Sequence, residues 1–372
     1  MDTLVILPPP SQGFFSLNVL GLSFKERIQL AARKAGFQYI FFLKFSEENL
    51  NLPEECAVFS PNMFFSDSAW KSFRELPLAE ESITFFENIE SIFFVKSKNR
   101  SLVLKELSHS NYSSALQKLK NQFKIYSLPL LSEKEWILFK GEVNLKSVEK
   151  WLLKGLIKEN EGFMSKHLER KISLSISRFL IRLPVSPNGM TLLSAAVGLA
   201  GAVFFIFPKK WYHIVGALLF WAHSVLDGCD GEIARLKFLE SKFGGLLDFW
   251  GDNVVHAAVF SLIAYGMYQR NFQPVFIVLG IFAVLGTLSS AAFVYYSALR
   301  IKKGSGPLLS SVTSRKSSME KTADFLARRD FIYLVILLAI FGKVEWFLWM
   351  GAFGSPVYFM FIWLSSRRCI RA

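Results

Sequence analysis

The pattern of hydrophobic positions changes near residue 185 of this 372-residue chain. Before that point, apolar residues form short runs broken by charges. After it, they form long runs that approach the roughly 20 residues needed to cross a hydrocarbon core. The pattern predicts six membrane-spanning helices, at 190–207, 211–227, 247–267, 273–298, 331–348 and 349–364. The positive mean hydropathy of +0.32 and the 38 phenylalanines also argue against a wholly soluble protein.

Short apolar runs alternate with helical patterns in the first 150 residues. LVIL, YIFFL, SIFFV and EWILF have the composition of strands, whereas SFKERIQLAARKAG and NYSSALQKLKNQF have that of helices. This alternation predicts a cytoplasmic α/β domain at 1–150 with a mainly parallel sheet. Residues 151–186 mix basic and apolar positions and predict amphipathic helices that lie in the membrane interface. An α-helical membrane domain with six transmembrane helices would then occupy 187–372.

The net charge of +13 follows the predicted loops. Basic residues concentrate before the first span, between the second and third spans, at 300–329 and after the last span, whereas the opposite side carries only Lys209, Lys210, Arg270 and Lys343. Positively charged loops mark the cytoplasmic side, so we expect a multi-pass protein of the inner (cytoplasmic) membrane with both termini in the cytoplasm. Much of the charge therefore reflects topology and attraction to the lipid bilayer, and a nucleic-acid partner is not expected. The three cysteines show no metal spacing and no disulfide framework.

A stretch of 26 residues, from the end of the predicted second span into the third, contains four aspartates: Asp227, Asp230, Asp248 and Asp252. Each charged residue at the centre of a membrane costs roughly 2.5–3.5 kcal/mol, so some neutralising partner is needed. The spacings of three and four residues place each pair on one helical face, and two adjacent helices would direct all four carboxylates into one space. Hard oxygen ligands in this number suit Mg²⁺ or Mn²⁺, and a pair of such ions is a common catalyst of displacement at phosphorus.

The residues between the acids favour a phosphate ligand. Gly231, Ala234, Gly244 and Gly245 have almost no side chain on the acidic face, so a ligand could approach the backbone closely. Arg235 adds a planar positive group that fits phosphate. A bound diphosphate would bridge the metal ions and this arginine.

The combined motif resembles the signature of the CDP-alcohol phosphotransferases. The chain reads Asp227-x2-Asp230-Gly231-x2-Ala234-Arg235-x8-Gly244-x3-Asp248-x3-Asp252, and every fixed position is filled. The preceding SPNGMT, Ser186 to Thr191, is similar to the Pro-Asn-x-x-Thr segment that often begins these membrane domains. The resemblance covers about 165–372 and implies six helices and a homodimer formed through them.

The resemblance implies a transferase of phospholipid or phosphodiester biosynthesis. An acceptor hydroxyl would attack the CDP-alcohol, and CMP would leave. The implied metal ligands are Asp227, Asp230, Asp248 and Asp252, with two Mg²⁺ or Mn²⁺ ions, and Asp252 is also the implied general base. The implied CDP site comprises Asn188, Asp227, Gly231, Ala234, Arg235 and Gly244.

The first 43 residues resemble the start of a Rossmann-like nucleotidyltransferase domain, with the best agreement at 18–37. The loop that should bind phosphates contains three prolines, Pro8, Pro9 and Pro10, which lack backbone donors. The resemblance implies a metal-binding aspartate in AVFSPNMFF, but this segment has none. It implies a second aspartate near position 144, where this chain has Asn144. We therefore expect this domain to be inactive, which favours CDP-diacylglycerol over CDP-linked soluble alcohols as the donor.

Several alternatives remain open at this stage. A prenyl-diphosphate transferase also pairs aspartate-rich helices, but its two acidic motifs should lie far apart in sequence. A non-catalytic membrane scaffold or pseudoenzyme would retain the fold without the chemistry. His223 and His256, one turn outside the acidic residues, are either partners of the site or ordinary packing residues.

Overall fold

The computed structural model describes residues 1–9, 11, 13–43, 53–86, 89–98, 100–109, 112–129, 131–157, 164–301 and 331–371. These residues form two compact units, Met1–Gly155 and Leu156–Ala372. The basic loop predicted at 301–329 lies outside the described residues, apart from Ile301, the last residue of a helix.

The first unit is an α/β domain with a six-stranded sheet. Its strands are β1 (Thr3–Ile6), β2 (Asn18–Val19), β3 (Leu22–Ser23), β4 (Tyr39–Phe42), β5 (Glu55–Phe59), β6 (Met63–Phe65), β7 (Ser82–Phe86), β8 (Ile89–Lys96), β9 (Lys124–Leu128) and β10 (Trp136–Leu138). The main sheet has the order β4-β1-β5-β8-β7-β9, and β2–β3 and β6–β10 form two antiparallel pairs. Five of the six strands of the main sheet run in one direction, and β8 is antiparallel to its neighbours β5 and β7.

The helices of this unit are α1 (Phe24–Ala35), α2 (Asp67–Arg74), α3 (Arg100–His109), α4 (Tyr112–Leu119) and α5 (Leu145–Lys154). A capping box between Ser23 and Glu26 begins α1, and Gly36, with φ of 102°, ends it. Buried Arg27 donates to the carbonyls of Val19 and Leu20 in the β2–β3 hairpin, and burial lowers its pKa to about 10. The first unit therefore has well-defined local structure and its own core.

The second unit is helical. After a π-helical turn at Ser165–Glu169, its helices are α6 (Arg170–Leu180), α7 (Pro187–Phe204), α8 (Lys210–Leu236), α9 (Lys242–Asn271), α10 (Val275–Ile301), α11 (Phe331–Ile340) and α12 (Val344–Arg371). Ser186 caps α7 by accepting from Gly189 N, and Ser241 caps α9 by accepting from Gly244 N. Both caps lie next to motif residues, so they fix where the two helices begin.

Four helices in the described part of the chain are long and apolar enough to cross a membrane: Pro187–Phe204, Lys242–Asn271, Val275–Ser297 and Val344–Leu364. The predicted span at 211–227 lies within α8, whose 27 residues include the charged motif. The predicted boundary between spans at 348 and 349 is wrong, because α12 continues through it. The turn lies instead at 341–343, where Gly342 has φ of 69°, and the apolar residues on both sides of it obscured its position.

Candidate functional site

Three aspartates of the motif meet between α8 and α9, two helices that both pack against α7. Asp227 and Asp230 on α8 and Asp248 on α9 each contribute a carboxylate oxygen, and these oxygens all lie within 4.8 Å of one another. We call these three residues the acidic cluster. Asp227 and Asp230 are buried, with 4% and 6% of their surface exposed. The helical spacing in the sequence predicted that four carboxylates would converge, and three of the four form this group.

Asp230 and Asp248 of the acidic cluster differ in their hydrogen bonds among the described residues. Asp230 accepts from the Thr191 hydroxyl and from the backbone N–H of Gly231. Asp248 Oδ1 is buried and has no hydrogen-bond partner among the described residues. Burying an unpartnered carboxylate oxygen is unfavourable, and a divalent cation would satisfy it. The all-oxygen set of ligands fits Mg²⁺ or Mn²⁺.

Asp252 lies one turn further along α9 and contacts a different partner. Its Oδ1 lies 3.4 Å from His223 Nε2, and about a quarter of its side chain is exposed. His223 is buried, and its Nδ1 lies 2.9 Å from the Ser194 carbonyl oxygen. His256 packs against the rings of Phe220 and Phe331, at centroid distances of 5.6 and 5.7 Å. His223 therefore has a polar contact with a motif aspartate on the neighbouring helix.

The residues expected to bind CDP lie around the same junction. Asn188 in the first turn of α7 lies next to Gly244 in the first turn of α9, where an added Cβ would lie 3.0 Å from Asn188 Oδ1. At Gly231 the nearest atoms to an added Cβ belong to Arg235, at 3.7–3.9 Å. Ala234 and Arg235 are half-buried. Small residues thus bring the beginnings of α7 and α9 together and leave space beside the Arg235 guanidinium.

Sequence reasoning missed Glu232, which lies within the motif at a position that the signature does not specify. Its side chain is fully buried and accepts from Arg170 Nη1 at 2.8 Å and from Ser173 and Ser177 Oγ at 2.7 Å each. The three donors lie on one face of α6, at spacings of three and four residues. The sequence shows these three polar residues on one face of α6, but it does not show that their partner is Glu232.

The first unit has no carboxylate at the two positions where a nucleotidyltransferase would need one. Ser60 donates to Asn62 Oδ1 at 2.7 Å after β5. The Asn144 amide donates to the Leu138 carbonyl at 2.6 Å and accepts from Lys140 N at 2.8 Å. A cavity of about 650 Å³ lies beside these loops and is lined by Ser11, Gly13, Phe14, Leu17, Asn62, Phe139, Lys140, Gly141 and Glu142. Pro10 and Gln12 of the predicted phosphate loop lie outside the described residues.

Comparison with known proteins gives a consistent set of relatives. The "Bifunctional IPC transferase and DIPP synthase" of Archaeoglobus fulgidus is 28% identical over 225 residues, which are 60% of this chain and 42% of that protein. The protein of the same name from Aquifex aeolicus is 29% identical over 213 residues, 56% of this chain and 45% of its own length. The chain therefore spans less than half the length of these curated relatives.

Among solved structures, the phosphatidylinositol phosphate synthase of Mycobacterium tuberculosis with CDP-DAG bound has 18% identity and a TM-score of 0.36. The match covers 51% of this chain and 90% of that one. The same enzyme in complex with manganese and citrate has 17% identity and a TM-score of 0.35, covering 50% and 85%.

The family comparison agrees with the motif. Residues 184–363 match the sequence model of the CDP-alcohol phosphatidyltransferase family, and this range contains the acidic cluster, Asp252 and the Pro-Asn-x-x-Thr segment. Through these residues, 184–363 of this chain resemble the CDP-alcohol phosphatidyltransferase family.

Proposed function

We propose that this protein is a membrane enzyme that transfers a substituted phosphate group from a CDP-alcohol to an acceptor hydroxyl and releases CMP. The observation that carries the proposal is the acidic cluster: three carboxylates of the motif, two buried and one half-buried, lie within 4.8 Å of one another, and one of their oxygens lacks a donor among the described residues. Such a site is unfavourable without a cation, and its ligands suit the ions that assist displacement at phosphorus.

The residues have the following proposed roles. Asp227, Asp230 and Asp248 would hold Mg²⁺ or Mn²⁺, with Asp252 as a neighbouring ligand if two ions bind. The metal, when bound, supplies positive charge to the diphosphate oxygens. Asn188, Asp227, Gly231, Ala234, Arg235 and Gly244 would bind the CDP group.

The reaction itself is a single displacement. The acceptor oxygen forms a bond to the phosphorus distal to cytidine, and the bond from that phosphorus to the bridging oxygen of CMP breaks. The CMP phosphate leaves with the electron pair. Asp252 takes the proton of the acceptor hydroxyl as general base, and the half-buried Arg235 guanidinium would orient the diphosphate.

The proposal includes an arrangement in the membrane. Adding α8 and α11 to the four long apolar helices would give six crossings, with both termini and the site on the cytoplasmic side. The distribution of basic residues supports this orientation. We also propose that the first unit is a Rossmann-like, nucleotidyltransferase-like domain without activity, and that the protein forms a homodimer through its membrane helices.

A direct assay tests the proposed function. The purified protein in detergent is incubated with Mn²⁺ or Mg²⁺ and a panel of labelled CDP-alcohols, with cell extract as the source of acceptors, and CMP release is measured. CDP-diacylglycerol is the first donor to test, because a relative has been solved with CDP-DAG bound. We expect metal-dependent CMP release that Asp248→Asn abolishes and Ser175→Ala leaves unchanged, since the Ser175 hydroxyl bonds within its own helix. Release of no CMP from any donor would favour a scaffold.

A further inference from the structure

His223 joins the three helices that form the site. It lies on α8, its Nδ1 lies 2.9 Å from the Ser194 carbonyl oxygen on α7, and its Nε2 lies 3.4 Å from Asp252 Oδ1 on α9. Only 3% of its surface is exposed. A buried polar side chain with a partner on each side has a single orientation available.

The Ser194 contact fixes which nitrogen faces which partner. A carbonyl oxygen only accepts hydrogen bonds, so Nδ1 carries the hydrogen and donates it to Ser194. Nε2 is therefore directed at Asp252 Oδ1. The two atoms are within ion-pair distance, and Asp252 can act as a base only where the proton between them is on Nε2.

Neighbouring residues prevent the imidazole from turning away. The Phe220 ring stacks against it at a centroid distance of 6.2 Å and an interplanar angle of 20°. On the α7 side, a Cβ added at Gly198 would lie 2.9 Å from His223 Cγ. The ring therefore occupies a slot that exists because position 198 has no side chain.

We infer that His223 is a positioning residue for Asp252, an inference that rests on the proposed function. By contacting Oδ1, His223 fixes the rotamer of the Asp252 carboxylate, which is the group proposed to receive the proton of the acceptor hydroxyl. A base that must be aligned with the attacking oxygen gains rate from such fixed orientation. His223 acts through Asp252 and does not belong to the acidic cluster.

The first test separates orientation of the base from binding. His223→Leu removes both polar contacts, whereas His223→Gln keeps one donor that can reach Asp252. We expect His223→Leu to lower kcat by about 10- to 100-fold, the usual effect of losing a partner that orients a site residue. The KM for the CDP-alcohol and the Mn²⁺ concentration for half-maximal activity should stay at their wild-type values, and His223→Gln should recover part of the kcat. His256→Phe, which keeps the aromatic packing, is the matched control. A His223→Leu enzyme with wild-type kcat overturns the inference.

A double variant tests the route of the effect. If His223 acts through Asp252, then His223→Leu should cause no further loss of kcat in an Asp252→Asn background. A merely structural role for His223 would lower activity by the same factor in both backgrounds. Equal factors would therefore refute positioning even where the single variant is impaired.

A spectroscopic test does not depend on activity. The chain has only five histidines, so nitrogen-15 labelling of histidine gives a simple spectrum in detergent, and His223→Leu assigns the His223 signals. We expect Asp252→Asn to shift the Nε2 signal of His223 and to leave those of His213, which contacts Phe207 and Arg270, in place. If wild-type protein releases no CMP, the proposed function fails, yet this measurement still decides whether His223 and Asp252 are paired. An unshifted Nε2 signal would show that they are not.

Discussion

Arg170 Nη1 lies 2.8 Å from Glu232 Oε1, and this ion pair joins the helix that precedes the membrane spans to the helix that carries the motif. Glu232 follows Asp230 by two residues, which is about 200° around a helix at 3.6 residues per turn. One side of α8 therefore carries Asp230 of the acidic cluster, and the other is held by α6. The sequence predicted an interfacial role for 151–186, and the structure adds a specific docking contact for α6.

We predict that Glu232→Ala destabilises the membrane unit strongly. The variant leaves the mostly buried Arg170 guanidinium without its carboxylate, and losing one partner of a buried ion pair costs about 3–5 kcal/mol. Thermal unfolding of the full chain in detergent would measure the change. Ser173→Ala and Ser177→Ala should each cost about 1.5–3 kcal/mol, because each removes a hydrogen bond to a buried charge.

Ser175→Ala is the matched control for this prediction. Ser175 lies on the same helix but is exposed, and its hydroxyl donates to the Lys171 carbonyl of α6 itself. Its removal should leave the unfolding temperature nearly unchanged. Equal effects at 173, 175 and 177 would show that α6 is not docked through Glu232.

The Pro-Asn-x-x-Thr segment is connected to the acidic cluster through Thr191, which donates its hydroxyl to Asp230. We predict that Thr191→Val weakens Mn²⁺ binding by about 10- to 100-fold, because partners that orient metal ligands usually have effects of this size. Thr191→Ser keeps the hydroxyl and should retain most of the affinity. Electron paramagnetic resonance of Mn²⁺ titrated into the protein gives the dissociation constant directly.

The control for Thr191 is Thr287→Val on α10. Thr287 Oγ1 donates to Ala283 within its own helix, so the variant makes the same chemical change away from the acidic cluster. Mn²⁺ affinity that falls equally in both variants would point to a general effect on the helices.

Local patterns predicted much of this structure because spacing and composition act over a few residues. The three-residue spacing of Asp227 and Asp230 was enough to place them on one face, and LVIL, YIFFL and SIFFV became β1, β4 and part of β8. The cap Ser23 and the left-handed Gly36 bound α1. By contrast, Gly342 ends α11 between two apolar stretches, so hydrophobicity could not locate the turn.

Contacts between distant parts of the chain could not be predicted from one sequence. Nothing near Glu232 indicates that its partners lie some 60 residues earlier on α6, and Arg170 has the same sequence context as the basic residues that set topology. The antiparallel direction of β8 could not be predicted either, because it depends on which strands pair across the sheet. His223 was one of two comparable histidines in the sequence, and its contacts with Ser194 on α7 and Asp252 on α9 depend on how the helices pack.

Removal of metal should reveal the repulsion within the acidic cluster. Two full charges 4.8 Å apart repel by roughly 3.5 kcal/mol at an effective dielectric constant of about 20. In the presence of a chelator we therefore expect Asp248→Asn to unfold at a higher temperature than the wild type. Saturating Mn²⁺ should reverse the order, since ligand at 100 times its Kd stabilises the protein that binds it by about 2.7 kcal/mol. Thermal scans with and without Mn²⁺ measure both effects, and a variant less stable under both conditions would argue against a repulsive cluster.

The last prediction concerns the first unit. The Asn144 side chain uses both of its polar ends, donating to the Leu138 carbonyl and accepting from Lys140 N. An ionised aspartate cannot donate, so Asn144→Asp would place a carboxylate oxygen 2.6 Å from the Leu138 carbonyl oxygen. The two oxygens repel, and the variant should destabilise this turn by about 1–3 kcal/mol. Hydrogen exchange of residues 136–145 in the full chain would measure the loss. Asn18→Asp is the control, because Asn18 Oδ1 only accepts from Gly21 N and a carboxylate can do the same. If Asn144→Asp leaves hydrogen exchange unchanged, the Asn144 amide has no structural role, and this position could still hold a metal ligand.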